Sequence, residues 1–169
     1  MAPFWRFFSE ALNYGAVKVL LLLLIVGMVW RGGRARTTIV QALIAVGIAN
    51  PLTDLLKRVS PQPRPYQELH MAITRAGMNA SHGTASAHSA NMAAVAVIFT
   101  LGLRLWGIPW ILVAVLTGIS RIYVGVHYPS QVLLGWLCGL FAGITVFMTW
   151  KLVERSRGTG QTMELDEQN

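Results

Sequence analysis

Charge is scarce in this 169-residue chain: charged side chains make up 12% of it, against about a quarter in an ordinary soluble domain. Acids are rarer still, seven against fourteen lysines and arginines. So few charges cannot clothe the surface of a water-soluble domain of this length. There is one cysteine, Cys138, so no intramolecular disulfide staples the fold; lying in an apolar run, it reads as a small core residue. The histidines His70, His82, His88 and His127 have no carboxylate or cysteine neighbour at ligand spacing, and no metal or other cofactor is expected. No G-x-S-x-G elbow is present, which argues against a serine hydrolase. The formal charge of +7 raises nucleic acid as a partner. However, the basic residues fall between apolar runs and no base-stacking module accompanies them, so no nucleic acid is expected.

What the chain has instead is hydrophobic length, with 54% apolar residues. Several runs approach the roughly 20 residues that cross a bilayer. Met1 to Tyr14 sets Phe4, Trp5, Phe7 and Phe8 among Arg6, Ser9 and Glu10, an amphipathic helix for the interface. Spans are expected at about 15–30, 37–56 (with Pro51 loosening it), 86–103, 109–123 and 129–152. No A-x-A-like cleavage site follows the first run, and further spans do, so it reads as a span rather than a signal peptide. The expected fold is an all-α, multi-pass transmembrane bundle of about five spans with an N-terminal interfacial helix. One domain covers residues 1–155, and the polar residues 156–169 are expected as a disordered tail. Gly135, Gly139 and Gly143 recur every four residues, a close-packing face for a neighbouring span. The tryptophans fall mostly near span ends, as interface anchors do.

Between Lys57 and Ala85 lies a polar, proline-bearing loop of about thirty residues, a length that is often functional. Five crossings put the Lys57 end, the start at Ser86, the Arg121 end and His127 on one side. Arg31, Arg34, Arg36, Arg104, Lys151, Arg155 and Arg157 go to the other. Short loops rich in Lys and Arg stay cytoplasmic. The expected location is therefore the cell (inner) membrane, with the motif face periplasmic or extracytoplasmic.

The motif face carries phosphate chemistry. Lys57 closes one span, and Arg64 follows seven residues on behind Pro61 and Pro63, which stiffen the approach. A guanidinium holds two phosphate oxygens in a fork, while lysine acts as a point charge. Arg121 adds a third cation. Singly, each reads as an interfacial residue reaching for headgroups; three converging with histidines read as a site. Ser86 is a candidate N-cap, leaving free N–H groups where an anion can bind. His88, one turn in, is placed to act as general acid. His127 precedes Tyr128-Pro129, and proline suits a first helical turn. Its neutral imidazole can attack phosphorus to give a phosphohistidine that water then hydrolyses, the transition-state charge being met by the cations and amides. Asp54, three residues before Lys57, reads as its ion-pair partner. His82 and Arg75 are candidates for headgroup contact.

Lys57-(x6)-Arg64-Pro65, Ser86-x-His88 and Ser120-Arg121-(x5)-His127 resemble, in order and spacing, the three signature motifs of the type 2 phosphatidic acid phosphatase (PAP2) superfamily. The resemblance covers about residues 54–136. It implies a helical, metal-free lipid phosphatase working through a phosphohistidine. By position it implies His127 as nucleophile, His88 as general acid, and Lys57, Arg64, Ser86, Ala87 and Arg121 around the phosphate. It also implies a membrane lipid as substrate: undecaprenyl diphosphate, phosphatidylglycerophosphate, phosphatidate or a lipid A phosphate. Two positions depart from the pattern. Ala87 replaces the usual glycine, and its methyl crowds the phosphate unless φ is negative. Gln131 replaces the usual aspartate; its carboxamide oxygen can accept the Nδ1–H of His127 but offers no charge. A phosphotransferase, a silent lipid-phosphate binder and a small transporter are the alternative readings.

Overall fold

Helices form wherever the chain runs apolar, because a backbone in hydrocarbon must satisfy its own hydrogen bonds. The computed structural model describes residues 2–11, 14–68 and 81–167, with side chains as far as 157. Its helices are α1 (Ala2–Glu10), α2 (Gly15–Arg31), α3 (Gly33–Val59), the single turn α4 (Pro65–Glu68), α5 (Ala87–Leu103), α6 (Ile108–Tyr123) and α7 (Pro129–Glu167). A 3-10 turn, Arg104–Gly107, joins α5 to α6. The all-α expectation holds, and no strand is present among the described residues.

The span count depends on how the helices are divided. By length and apolarity three stretches can cross a bilayer, Gly33–Val59, Ala87–Tyr123 and Pro129–Arg157; α1 with α2, bent by 50°, gives a fourth. Five were expected because the sequence separates 86–103 from 109–123. The chain does reverse between them: a Cβ on Gly107 would meet Thr100 Cα at 2.3 Å, and the Phe99 and Trp110 rings are 4.7 Å apart. α5 and α6 have 17 and 16 residues, about 25 Å each and at the short end of the spanning range, so the count of spans is three to five according to whether each helix is taken alone. At the other end α7 passes the expected limit at Leu152 and runs to Glu167, over the polar segment expected as a tail. α3 continues through Pro51.

The core is built of small residues. Ala42, Ala45 and Ala49 of α3 meet Ala90, Ala94 and Ile98 of α5 and Cys138, Ala142 and Val146 of α7. The glycine face of α7 is spent within the chain. Cβ atoms at Gly135 and Gly139 would fall 2.4 Å from Ser86 O and 2.1 Å from Ala90 O. Backbones at van der Waals distance gain dispersion contacts, which hold helices together where lipid removes the hydrophobic drive. α2 buries no residue and turns Leu20, Leu22 and Leu23 outward. Trp30 and Trp106, at helix ends, are among the most exposed residues, as interface anchors should be.

Candidate active site

Three chain reversals bring the motif residues to one end of the bundle. α6 ends at Tyr123, and Gly125 takes φ +78°, a left-handed turn that favours glycine. The turn lets the backbone N–H groups of Val126 and His127 both donate to Arg121 O. Pro129 then opens α7 as expected, which sets Gln131 one turn from His127. The long loop returns through Thr84, whose hydroxyl donates to Ser60 O at 2.6 Å and accepts from the Gln62 N–H. Ser86 caps α5, accepting from the Ser89 N–H and hydroxyl, and its own N–H donates to Gln131 O. Ala87 is the first helical residue and is not among the positive-φ positions, so its methyl costs the backbone nothing.

The centre of the site is His127, 4% exposed. Its Nδ1 lies 3.1 Å from Gln131 Oε1 and 3.2 Å from Gly83 O, both acceptors. Its Nε2 lies 3.3 Å from Arg64 Nη1, and a guanidinium only donates. Both ends of the ring therefore require one tautomer, Nδ1–H with the Nε2 lone pair outward. The Gln131 amide is fixed too. Its Nε2 donates to Pro63 O at 2.9 Å while its Oε1 also accepts from the Tyr128 N–H; a flipped amide would oppose like groups at both contacts. Burial first, then the Arg64 and Arg121 charges, lower the His127 ring to about 3 against the pull of its Gln131 and Gly83 bonds. The imidazole is neutral at physiological pH.

Arg64 is 5% exposed, and every donor of its fork is engaged. Nε donates to Ser81 O at 2.7 Å, Nη2 to Ser81 Oγ and His82 O, and Nη1 to Val126 O and His127 Nε2. Burial lowers its pKa but leaves it charged. Lys57 donates to Asp54 at 2.8 Å, the ion pair expected. His88 is exposed at the mouth and feels the charges of Arg121, Arg64 and Lys57. Arg121 is half-buried; its Nη1 donates to Ser9 O and Ser9 Oγ, and its buried Nε has no partner among the described residues. His82 is exposed, whereas His70 and Arg75 lie outside the described residues.

Sequence reasoning missed three contributors. Ser9, 2% exposed, reaches Arg121 across 112 residues, a pairing that helical periodicity carries no trace of. Ser81 holds Arg64 at Nε and Nη2. Gly83 acts through its carbonyl, and a Cβ there would strike the Gln131 amide at 2.7 Å and Arg64 Cγ at 2.9 Å. A glycine in a polar loop, one of two there, was the one visible signal.

An all-helical membrane protein with a buried, arginine-held imidazole at one end of its bundle is the class that this fold and site define. The chain belongs to the PAP2 superfamily, whose family model matches residues 38–155, and it is a lipid phosphatase. Among curated relatives, an undecaprenyl-diphosphatase of Sulfolobus acidocaldarius is 32% identical over 63% of this chain and 52% of its own length. The bacitracin transport permease protein BcrC of Bacillus licheniformis is 27% identical over 87% of this chain and 70% of its own. Putative undecaprenyl-diphosphatase YbjG of Escherichia coli is 27% identical over 80% and 68%. The crystal structure of Aquifex aeolicus LpxE superposes with TM-score 0.72 at 28% identity, over 87% of this chain and 85% of that one.

Proposed function

We propose that the chain removes a phosphate from a membrane lipid phosphate or diphosphate through a phosphohistidine on His127. The observation that carries the reading is the fixed tautomer of a buried neutral ring, with Nε2 against a guanidinium. A phosphate arriving between Arg64 and Arg121 accepts the Nη1 hydrogen bond that now caps Nε2, and it gives the orphan Arg121 Nε an acceptor. The Nε2 lone pair then forms the N–P bond as the P–O bond to the lipid breaks, and His88 protonates the departing oxygen. In the second half His88 takes a proton from water, the new hydroxide oxygen bonds to phosphorus, and the N–P bond breaks to release phosphate. Gln131 stabilises the ring without a charge. Lys57 and the amides after Ser86 meet the equatorial oxygens.

The names of two relatives favour a polyprenyl diphosphate over the other lipid classes. The reading also places the protein in the inner membrane with this site outside. In the decisive assay, phosphate release is measured from a panel of lipid mono- and diphosphates. Wild type should release phosphate and form an acid-labile phosphoryl adduct, and His127→Ala should do neither. Chelators should leave turnover intact and vanadate should inhibit. Label passing to a lipid or sugar instead of water would make it a transferase. The relative described as a permease raises transport as a second reading; transport that survives His127→Ala would establish it against hydrolysis.

A further inference from the structure

At the end of the bundle opposite His127, α3, α5 and α7 enclose a cleft of about 430 Å³. Three cations surround it: Arg34 from the start of α3, Arg104 after the end of α5, and Lys151 from α7. Lys151 and His127 are separated by most of α7, about 33 Å of helix, so the cleft is not part of the catalytic cluster. One carboxylate, Glu154, lines the cleft with them, and it accepts from Trp150 Nε1 at 2.8 Å. It forms no ion pair with these three cations.

Two features exceed what a charge bias between membrane faces requires. Gln41, 4% exposed, lines the cleft and hydrogen-bonds to no described residue. Its carboxamide is not among the buried unpartnered atoms, so it opens into the cleft with its donors and acceptor available to whatever fills it. Arg104 is the one non-glycine residue with positive φ, +54°, among those described. Glycine would hold that backbone with less strain, so the guanidinium is kept at a conformational cost. Arg31 and Arg36, elsewhere on the same face, show neither feature.

We propose that this cleft binds a phosphate group, the headgroup phosphodiester of an anionic lipid, held by Arg34, Arg104 and Lys151 with Gln41 donating to a phosphoryl oxygen. Leu101 and Phe147 in the wall suit the glycerol end of such a lipid, and basic pockets between helices at a cytoplasmic boundary are a known way to hold one. The site does not depend on the hydrolytic reading.

The test compares the protein in nanodiscs of phosphatidylcholine with and without 20–30% phosphatidylglycerol, reading Tm and lipid retained in native mass spectrometry. A phosphodiester lipid has no terminal phosphate to occupy the catalytic cluster. Wild type should gain several degrees and retain phosphatidylglycerol. Arg104→Gly, which also relieves the strained φ, should keep the Tm found in pure phosphatidylcholine but lose the gain, with turnover unchanged. Gln41→Leu should weaken retention. An equal gain from millimolar inorganic phosphate in phosphatidylcholine would assign the cleft to a free anion and overturn the lipid as its source. Retention undiminished in Arg104→Gly and in Lys151→Gln would overturn the site.

Discussion

Gln131 occupies the place where a carboxylate would give His127 a charged partner, and it is tied on three sides: to His127, to the Tyr128 N–H and to Pro63 O. A neutral acceptor can fix the tautomer but lends no charge to the imidazolium, so orientation is what it contributes. Gln131→Leu should therefore lower kcat by about 10²–10⁴-fold, the range of a lost acid–base or orienting group, with a smaller change in KM. Gln131→Asp restores a charged acceptor but leaves the Pro63 carbonyl unpaired. Turnover should be retained or raised while Tm falls. The ring's own titration gives a second check. With the His127 pKa lowered from 6.5 to about 3, the unfolded chain binds a proton that the folded chain refuses. The stability this group contributes is present above pH 6.5 and is lost as pH falls towards 3, at up to about 1.4 kcal/mol per pH unit. Wild-type Tm should drop more steeply than that of His127→Gln between pH 6.5 and 4, and ¹⁵N resonances of His127 should show no protonation between pH 8 and 5.

At the scale of elements, α1 does more than lie in the interface. It packs on the end of α6, with Trp5 and Tyr123 rings 5.6 Å apart, and its Ser9 holds a cation of the proposed site. α1 precedes the stretch that the family model matches. Ser9→Ala should lower kcat/KM by about 10–100-fold, since hydrogen bonds to a charged group contribute about 1.5–3 kcal/mol, and Ser9→Thr should restore it. The helix pair α5–α7 makes a separate prediction. Gly139→Val forces side-chain carbon against Ala90 O, and overpacking of this kind costs about 1–3 kcal/mol. Gly47→Ala, where a Cβ meets nothing within 4 Å, should leave Tm unchanged or raise it. Elements with strong apolar runs were legible in the sequence, as was the glycine face, because both depend on local composition and period. The turn at Arg104–Gly107 was legible only as a gap. Nothing local announces that an arginine will take a positive φ, or that two short helices will fold back on each other.

For the whole molecule, the site residues were legible because spans end where polar residues begin, and alternate ends of spans share a face. Lys57, Ser86, Arg121 and His127 could therefore be grouped from position alone. Ser9, Ser81 and Gly83 could not, since two of them act through loop geometry and one through a contact spanning 112 residues. The same alternation makes a prediction about the faces. Arg31, Arg34, Arg36, Arg104, Lys151, Arg155 and Arg157 fall at the end opposite His127, and several cations of the other end are held in the proposed site: Arg64 by backbone carbonyls, Arg121 by Ser9 and Lys57 by Asp54. An excess of lysine and arginine at the Arg34 end favours that end as cytoplasmic. The only native cysteine, Cys138, is 5% exposed in the core and should not react, so a single introduced thiol reports its own side. In intact cells an impermeant maleimide should label His82→Cys, in the exposed loop beside the site, and should reach Arg36→Cys only after the membrane is permeabilised. The reverse pattern would place the imidazole in the cytoplasm, where a substrate phosphate must come from lipid exposed on the inner leaflet.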